Sequence, residues 1–204
     1  MGFYSQVIVP RLCDLSLGRP LVAKHRRELL SNASGNVLEI GFGTGLNLPY
    51  YSENVRKIMA VDPNLGMHRL AQQRIKQAGI EVEQKAFSGE RLPFEDNTFD
   101  SVVSTFTLCS IEDVGQALSE AYRVLKPGGH FLFLEHGLSP EPNVQKWQRR
   151  LNWLEMRLAD GCRLDRNIRE LIAAQPFSSV EIEEFDLEKT PKTHSHLYKG
   201  IARK

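Results

Sequence analysis

Two acids and three glycines carry the first chemical information in the chain. Glu39 stands near the end of an apolar run, Asn36-Val37-Leu38-Glu39-Ile40, and is followed by Gly41-Phe42-Gly43-Thr44-Gly45. Asp62 closes a second run, Arg56-Lys57-Ile58-Met59-Ala60-Val61. Glycines at alternate positions let a backbone turn sharply and approach a ligand without interference from Cβ. An acid at the end of the next strand can accept hydrogen bonds from both hydroxyls of a ribose. The polar exit Thr44–Asn47 reads as the start of a helix, so strand, glycine turn and helix N-terminus together suit a nucleotide-sized ligand. A dinucleotide needs G-x-G-x-x-G, and the sixth position here is Leu46, so the pyrophosphate reading fails.

S-adenosylmethionine makes different demands. It has no phosphate and carries a sulfonium, an amine and a carboxylate. A buried acid before the glycines suits a cationic ligand and would be a poor neighbour for a pyrophosphate. The plainer alternatives are a capping or salt-bridged Glu39, and an Asp62 that only opens an Asp-Pro turn with Pro63.

A second group of reactive side chains is Cys109, after the fourth strand, and Glu135-His136, after the fifth. In open α/β sheets the ligand crevice lies beyond the carboxyl ends of the strands, where these residues fall. His136 is a candidate base with a pKa near neutrality; it equally suits a polar strand end. Cys109 is a candidate for chemistry or a small buried hydrophobe. His25, His194 and His196 fall in the cap and tail, where solvation is the default. Cys13, Cys109 and Cys162 lie far apart with no CxxC pair, which argues against a zinc site and a disulfide framework. No metal is expected, and a reducing, cytoplasmic compartment fits.

The elements that must hold these residues follow from the hydrophobic pattern. Strands are expected at 36–40, 56–62, 80–85, 99–104 and 130–135, and helices at 64–78 (with Gly79 after it) and 111–125. Pro93 keeps 87–97 a loop, and Lys126-Pro127-Gly128-Gly129 is a tight turn. Two helices precede the first strand, the second at 21–30, and form a cap that either covers the ligand cleft or pads the sheet. The tail adds helices at 144–158 and 166–174 and strands at 180–185 and 198–202, the strands forming an antiparallel pair at the sheet edge. On the first tail helix Val144, Trp147, Leu151, Leu154 and Leu158 share a stripe. The expected architecture is α/β: a doubly wound, Rossmann-like, seven-stranded sheet, mostly parallel, with an antiparallel C-terminal edge. One domain spans 1–204, with a helical cap (1–35), a cofactor-binding core (36–135) and acceptor-side helices and last strands (136–204).

Composition narrows the function classes. The 204 residues hold 26 Lys and Arg against 25 Asp and Glu, so there is no basic field to attract a nucleic acid. No run reaches the roughly 20 apolar residues of a membrane span. The N-terminus resembles neither a signal peptide nor a myristoylation signal, Gln6 standing where the latter needs Ser or Thr.

The run Leu38 to Gly45 resembles motif I of the class I S-adenosylmethionine-dependent methyltransferases, of the type 11 group. Ala60-Val61-Asp62-Pro63-Asn64 with Met67 resembles their second-strand acid region. Ser88-Gly89-Glu90-Arg91-Leu92-Pro93-Phe94 with Phe99-Asp100 is similar to their adenine loop and fourth strand, and Arg123 to Gly129 to the turn before the fifth. The resemblance implies S-adenosyl-L-methionine as cofactor. It places Glu39, Gly41, Gly43, Thr44, Gly45 and Asn47 around the methionine portion, and Asp62 on the ribose. Pro63, Asn64, Met67, Ser88 and Gly89 would lie about the adenine, although many relatives have an aspartate where Ser88 stands. Thr105 and Leu108 would face the sulfonium and the acceptor.

The tail carries a second resemblance. Thr107-Leu108-Cys109-Ser110, Glu135-His136-Gly137, Trp147-Gln148 and Asp160-Gly161-Cys162-Arg163-Leu164-Asp165-Arg166 are similar to motifs of the animal membrane-associated thiol S-methyltransferases and their bacterial relatives. The core also resembles bacterial phospholipid N-methyltransferases and ubiquinone/menaquinone C-methyltransferases. These resemblances imply a small-molecule or lipid-like acceptor and place Tyr4, Cys162, Arg163 and Arg166 on its side of the cleft, with His136, Glu135 and Cys109 as catalytic candidates. A phospholipid amine is the expectation, with a thiol and a quinone carbon as alternatives, and peripheral membrane contact through the helix at 144–158. The rivals are a non-catalytic cofactor-binding protein and a nucleic-acid methyltransferase. The latter is opposed by Ser104-Thr105-Phe106-Thr107, where an Asn/Asp-Pro-Pro-aromatic tetrad would stand.

Overall fold

The computed structural model describes residues 2–204. Seven strands form one sheet: β1 (Gly35–Ile40), β2 (Val55–Val61), β3 (Glu81–Lys85), β4 (Phe99–Thr105), β5 (Leu125–His136), β6 (Ser179–Asp186) and β7 (His196–Arg203), in the order β3-β2-β1-β4-β5-β7-β6. The first five run parallel, and β7 lies antiparallel between β5 and β6. The strand order reverses between β1 and β4, and such a switch point opens a crevice at the carboxyl ends.

Both sheet faces are covered, which is why the central strands are apolar at successive positions. Leu38, Ile40, Val102, Phe131 and Phe133 pack on one face with α4 (Val114–Val124) and α6 (Ile168–Ala173). Val37, Val103, Leu132 and Leu134 point to the other, with α2 (Pro20–Leu30) and α3 (Leu65–Gln77). Each such aliphatic side chain, fully buried, contributes about 1.5–3 kcal/mol. Asn64 caps α3 by accepting from the Gly66 amide (2.9 Å), and Asp113 caps α4 by accepting from Gln116 (2.9 Å).

Three expectations change. No α-helix follows the glycine turn; a single 3-10 turn, Leu48–Tyr50, replaces it. Gly41, Gly43 and Gly45 all have positive φ, Pro49 lacks an amide donor, and Asn47 and Tyr51 turn back to bond Glu39, so the segment is spent on side-chain anchorage.

In α5 (Pro142–Leu158) the apolar stripe is buried only in part: Val144 is buried and Leu151 half-buried, but Trp147, Leu154 and Leu158 are exposed, and the polar Gln148 shares the buried face. Gln148 sets that orientation. Its amide donates to the Gly137 carbonyl (2.9 Å) and the Thr193 carbonyl (3.1 Å), and it accepts from the Ser139 amide (3.0 Å). Thr193 lies in the short helix α7 (Lys192–Ser195).

The N-terminal cap does both things expected of it in the alternative. After a π-helical turn (Tyr4–Ile8), α1 (Val9–Leu17) roofs the crevice, while α2 packs on the sheet.

Candidate active site

A cleft of about 360 Å³ lies beyond the carboxyl ends of β1 and β4, a size that suits a small ligand. The glycine turn, Asp62–Asn64, Ser88–Glu90 and Thr105–Thr107 form its walls; Val9, Cys13 and Leu17 of α1 form its roof. Arg74 of α3 holds that roof, donating to Asp14 (2.7 Å) and to the Thr44 carbonyl (2.9 Å), while the Thr44 hydroxyl donates to Asp14 (2.6 Å). One charge-assisted knot thus joins roof, glycine turn and α3.

Glu39 lies on the floor, buried. Its carboxylate accepts from Asn47 (2.8 Å) and from the Tyr51 hydroxyl (2.6 Å), and burial pushes its pKa up to about 7. Beside it is Arg26 of α2, buried to 3% exposure, donating to Asn47 and to the Thr105 hydroxyl (2.9 Å). Its guanidinium sits over the Phe106 ring, 5.3 Å from the centroid, and Phe106 holds a left-handed φ of 53° to place that ring. Arg26 Nε is buried without a partner. The sequence reading missed this residue. Its one signal was a charge on the apolar stripe Val22-Arg26-Leu29-Leu30.

Asp62 is fixed by two backbone donors, Gly43 (2.9 Å) and Asn64 (2.8 Å). Burial raises its pKa and those two amides oppose the rise. Farther along, the Ser88 hydroxyl donates to Glu90 (3.0 Å), which also accepts from the Asp113 amide (2.7 Å). A carboxylate therefore does border the cleft beside the Ser88 loop, two residues beyond Ser88.

Of the residues expected to bind the cofactor, Glu39, Gly41, Gly43, Thr44, Asn47, Asp62, Pro63, Asn64, Met67, Ser88, Gly89 and Thr105 line the cleft. Gly45 and Leu108 do not. Gly45 turns the chain against Leu48 and Phe42, and Leu108 is buried in the core.

None of the expected acceptor residues lines the cleft. The Tyr4 hydroxyl donates to the Leu158 carbonyl (2.8 Å) at an exposed edge. Arg166 turns inward and donates to the carbonyls of Leu108 and Ile111, bracing the loop after β4. Arg163 bonds through its backbone to the Cys109 carbonyl (3.0 Å). Ser110, Ile111, Glu112, Ala159 and Asp160 form that end of the cleft instead.

The three catalytic candidates stand behind the wall. Glu135 accepts from the Ser104 hydroxyl (2.8 Å) and the Thr107 amide (2.8 Å), tying β5 to the loop after β4; burial pushes its pKa up to about 8. His136 Nε2 lies 3.1 Å from Cys162 Sγ, which lies 3.5 Å from Cys109 Sγ. The Cys162 thiol donating to Cys109 lowers the Cys109 pKa and raises its own. Burial disfavours a charged His136, but Cys109 and Glu135 outweigh that and raise its pKa. Cysteines remote in sequence are thus neighbours in space, which removes the spacing argument made against a cysteine-ligated metal.

A methyltransferase-domain family model matches residues 38–133. The chain is 34% identical to rat thiol S-methyltransferase TMT1B over 151 residues, covering 72% of this chain and 62% of that one. It is 32% identical to human thiol S-methyltransferase TMT1A over 175 residues, covering 79% and 71%. Identity to the phosphatidylethanolamine N-methyltransferase of Cereibacter sphaeroides is 32% over 127 residues, 60% of this chain and 62% of that one. The match therefore spans just under two thirds of the rat protein's length. Haemonchus contortus phospholethanolamine N-methyltransferase 2, solved with phosphomonomethylethanolamine and S-adenosylhomocysteine, shares the fold at a TM-score of 0.70 and 17% identity, over 96% of this chain and 56% of that one.

Proposed function

The chain belongs to the class I S-adenosylmethionine-dependent methyltransferases, and from that premise we propose that it methylates a lipophilic thiol. S-adenosyl-L-methionine is its cofactor. The cleft fits this ligand. Asp62 suits the ribose hydroxyls and Glu90 the adenine amino group. Glu39 suits the methionine ammonium, and Arg26, with a buried Nε that has no protein partner, suits the carboxylate. Bound S-adenosylmethionine supplies a methyl on a sulfonium, open to in-line attack.

The observation that carries the thiol reading is the make-up of the lining: its acceptor end offers the carboxylates Glu112 and Asp160 but no histidine or lysine, and a carboxylate's ordinary pKa of about 4 makes it a weak base for either rival acceptor. A quinone ring carbon needs a base, and an ammonium must lose its proton before it can attack. Asp160, at the mouth and hydrogen-bonded by the Ser5 hydroxyl (2.7 Å), would stabilise an ammonium and so keep it non-nucleophilic. A thiol, with an ordinary pKa of about 8.5, supplies its own thiolate near neutrality. Its sulfur forms the new carbon–sulfur bond as the sulfonium bond breaks, and its proton goes to solvent. Val9, Leu17 and Ile111 keep water from that step, and Thr105–Thr107 bound the line of attack. The thiol S-methyltransferases named above support the same choice.

A phospholipid amine is the second reading, and the surface favours it. Phe3, Tyr4, Ile8, Leu12 and Leu15 are exposed on the N-terminal helices, and Trp147, Trp153 and Leu158 on α5 beside Arg149, Arg150 and Arg157. An apolar rim with cations suits an anionic lipid surface. Among the described residues no helix is long and apolar enough to cross a membrane.

Methyl transfer from labelled cofactor should be measured with alkyl thiols, with phosphatidylethanolamine vesicles and with a demethylated quinol, alongside vesicle flotation. Thioether formation is expected. Turnover of the lipid amine or the quinol without turnover of any thiol would sink the thiol reading.

A further inference from the structure

We propose that Cys109, Cys162 and His136 form a binding site for a thiophilic divalent cation of the zinc class. The three residues come from three separate segments: the loop after β4, the end of β5 and the turn after α5. Their two Sγ atoms and an imidazole nitrogen all lie within 4.8 Å of one another, and all three residues are buried. They are the one such His/Cys/Asp/Glu group among the described residues.

The spacing is close to what an ion requires. A tetrahedral zinc with Zn–S near 2.3 Å and Zn–N near 2.0 Å sets its sulfurs about 3.8 Å apart and sulfur to nitrogen about 3.6 Å. The observed separations are 3.5 Å and 3.1 Å, so small outward shifts admit the ion. Two soft thiolates and an imidazole are donors that select zinc over magnesium or calcium.

His136 is buried without a strong hydrogen bond: Nε2 meets only sulfur, a weak partner, and Nδ1 meets nothing, so Nε2 is free to bind a cation in place of the thiol. The turn that presents Cys162 is also unusual: Asp160 and Gly161 are consecutive left-handed residues, at φ 50° and 91°. Asp160 tolerates that conformation at a cost, and such conformations gather at sites that use them.

Charge balances on binding. The cation displaces one proton from each thiol to solvent, and two thiolates, one dication and a neutral imidazole sum to zero in a buried place. Three protein donors leave a fourth position for water or another exogenous ligand. The site holds together the loop that walls the cleft at Ser110 and the turn that walls it at Asp160, whichever acceptor is methylated.

The whole chain, purified under reducing conditions without chelator, should carry about one zinc per chain by elemental analysis. The reduced apoprotein, titrated with cobalt(II), should develop thiolate-to-cobalt charge-transfer absorption and the intense visible bands of a tetrahedral ion. Cys162→Ser should weaken cobalt binding at least tenfold and remove half the charge-transfer intensity, while Cys13→Ser keeps both. Should Cys162→Ser fail to fold, the wild-type titration and the Cys13→Ser control still decide. Absence of zinc together with no sulfur charge-transfer band overturns the proposal. So does loss of the band in Cys13→Ser, or a Cys109–Cys162 disulfide in freshly isolated protein that, once reduced, takes up no metal.

Discussion

Gly41 shows how closely one residue can be specified. Its φ of 71° is left-handed, and a Cβ built there would overlap the Thr107 side chain. Gly41→Ala therefore meets both a backbone penalty and a steric one, together about 2–4 kcal/mol. A denaturant melt should show a drop of that size, and cofactor affinity should fall more than tenfold as Thr107 is displaced. A stable variant with unchanged affinity would contradict the geometry. That Glu39 and Asp62 line a cleft was readable in the sequence, because an acid bordering a glycine turn or a strand end is placed by its immediate neighbours. Arg26 and Glu90 were harder. The first announces itself only once the stripe of α2 is known to face the cleft, and the second lies two residues from the family position. The pairing of Cys109, His136 and Cys162 had no local signal, since it is made by three elements meeting.

At the scale of elements, α1 is joined to the rest of the cleft through Asp14. Asp14 binds Arg74 with both carboxylate oxygens (2.7 and 3.1 Å) and accepts from Thr44. Burial works against the Asp14 carboxylate, but Arg74 and Thr44 more than offset it and hold its pKa below the usual range. Asp14→Ala should loosen the roof at little expense to the sheet. Calorimetry should show cofactor binding about tenfold weaker, with the melting temperature of the ligand-free protein changed by only a few degrees. A large fall in that melting temperature would mean that α1 belongs to the core. The strands and α2 to α4 were legible because their apolar periods match their burial. The helix expected after the glycine turn was not, since side-chain anchorage to Glu39 replaced it. Only part of the α5 stripe is buried because a glutamine, Gln148, shares its inner face.

For the molecule as a whole, two carboxyls buried with few donors make stability depend on pH. Glu39 titrates at about 7 and Glu135 at about 8, against 4.5 for an ordinary glutamate, burial being the main cause in both. Between those values the folded chain holds protons that the unfolded chain has released, so stability is full below the ordinary value and falls as pH rises through 7 and 8. The ligand-free protein should lose a few kcal/mol of stability between about pH 5 and about pH 8.5, by chemical denaturation at each pH. Glu39→Gln should flatten part of that slope, and a stability that climbs over the same window would refute the assignment. The seven-stranded architecture was legible because five short apolar strands, separated by helices, turns or loops, recur through residue 135 and the last two strands keep their own pattern.

The roof over the cleft also governs time. A ligand between the glycine turn and α1 is expected to leave faster when the Asp14–Arg74 knot is parted, the spent cofactor dwelling after the methyl has gone. The expected outcome is a turnover limited by departure and not by bond making. Rapid mixing should give a first round of methylation faster than all later rounds, and S-adenosylhomocysteine should be a potent inhibitor whose hold weakens in Asp14→Ala. A linear progress curve from the first turnover would show that the roof opens freely.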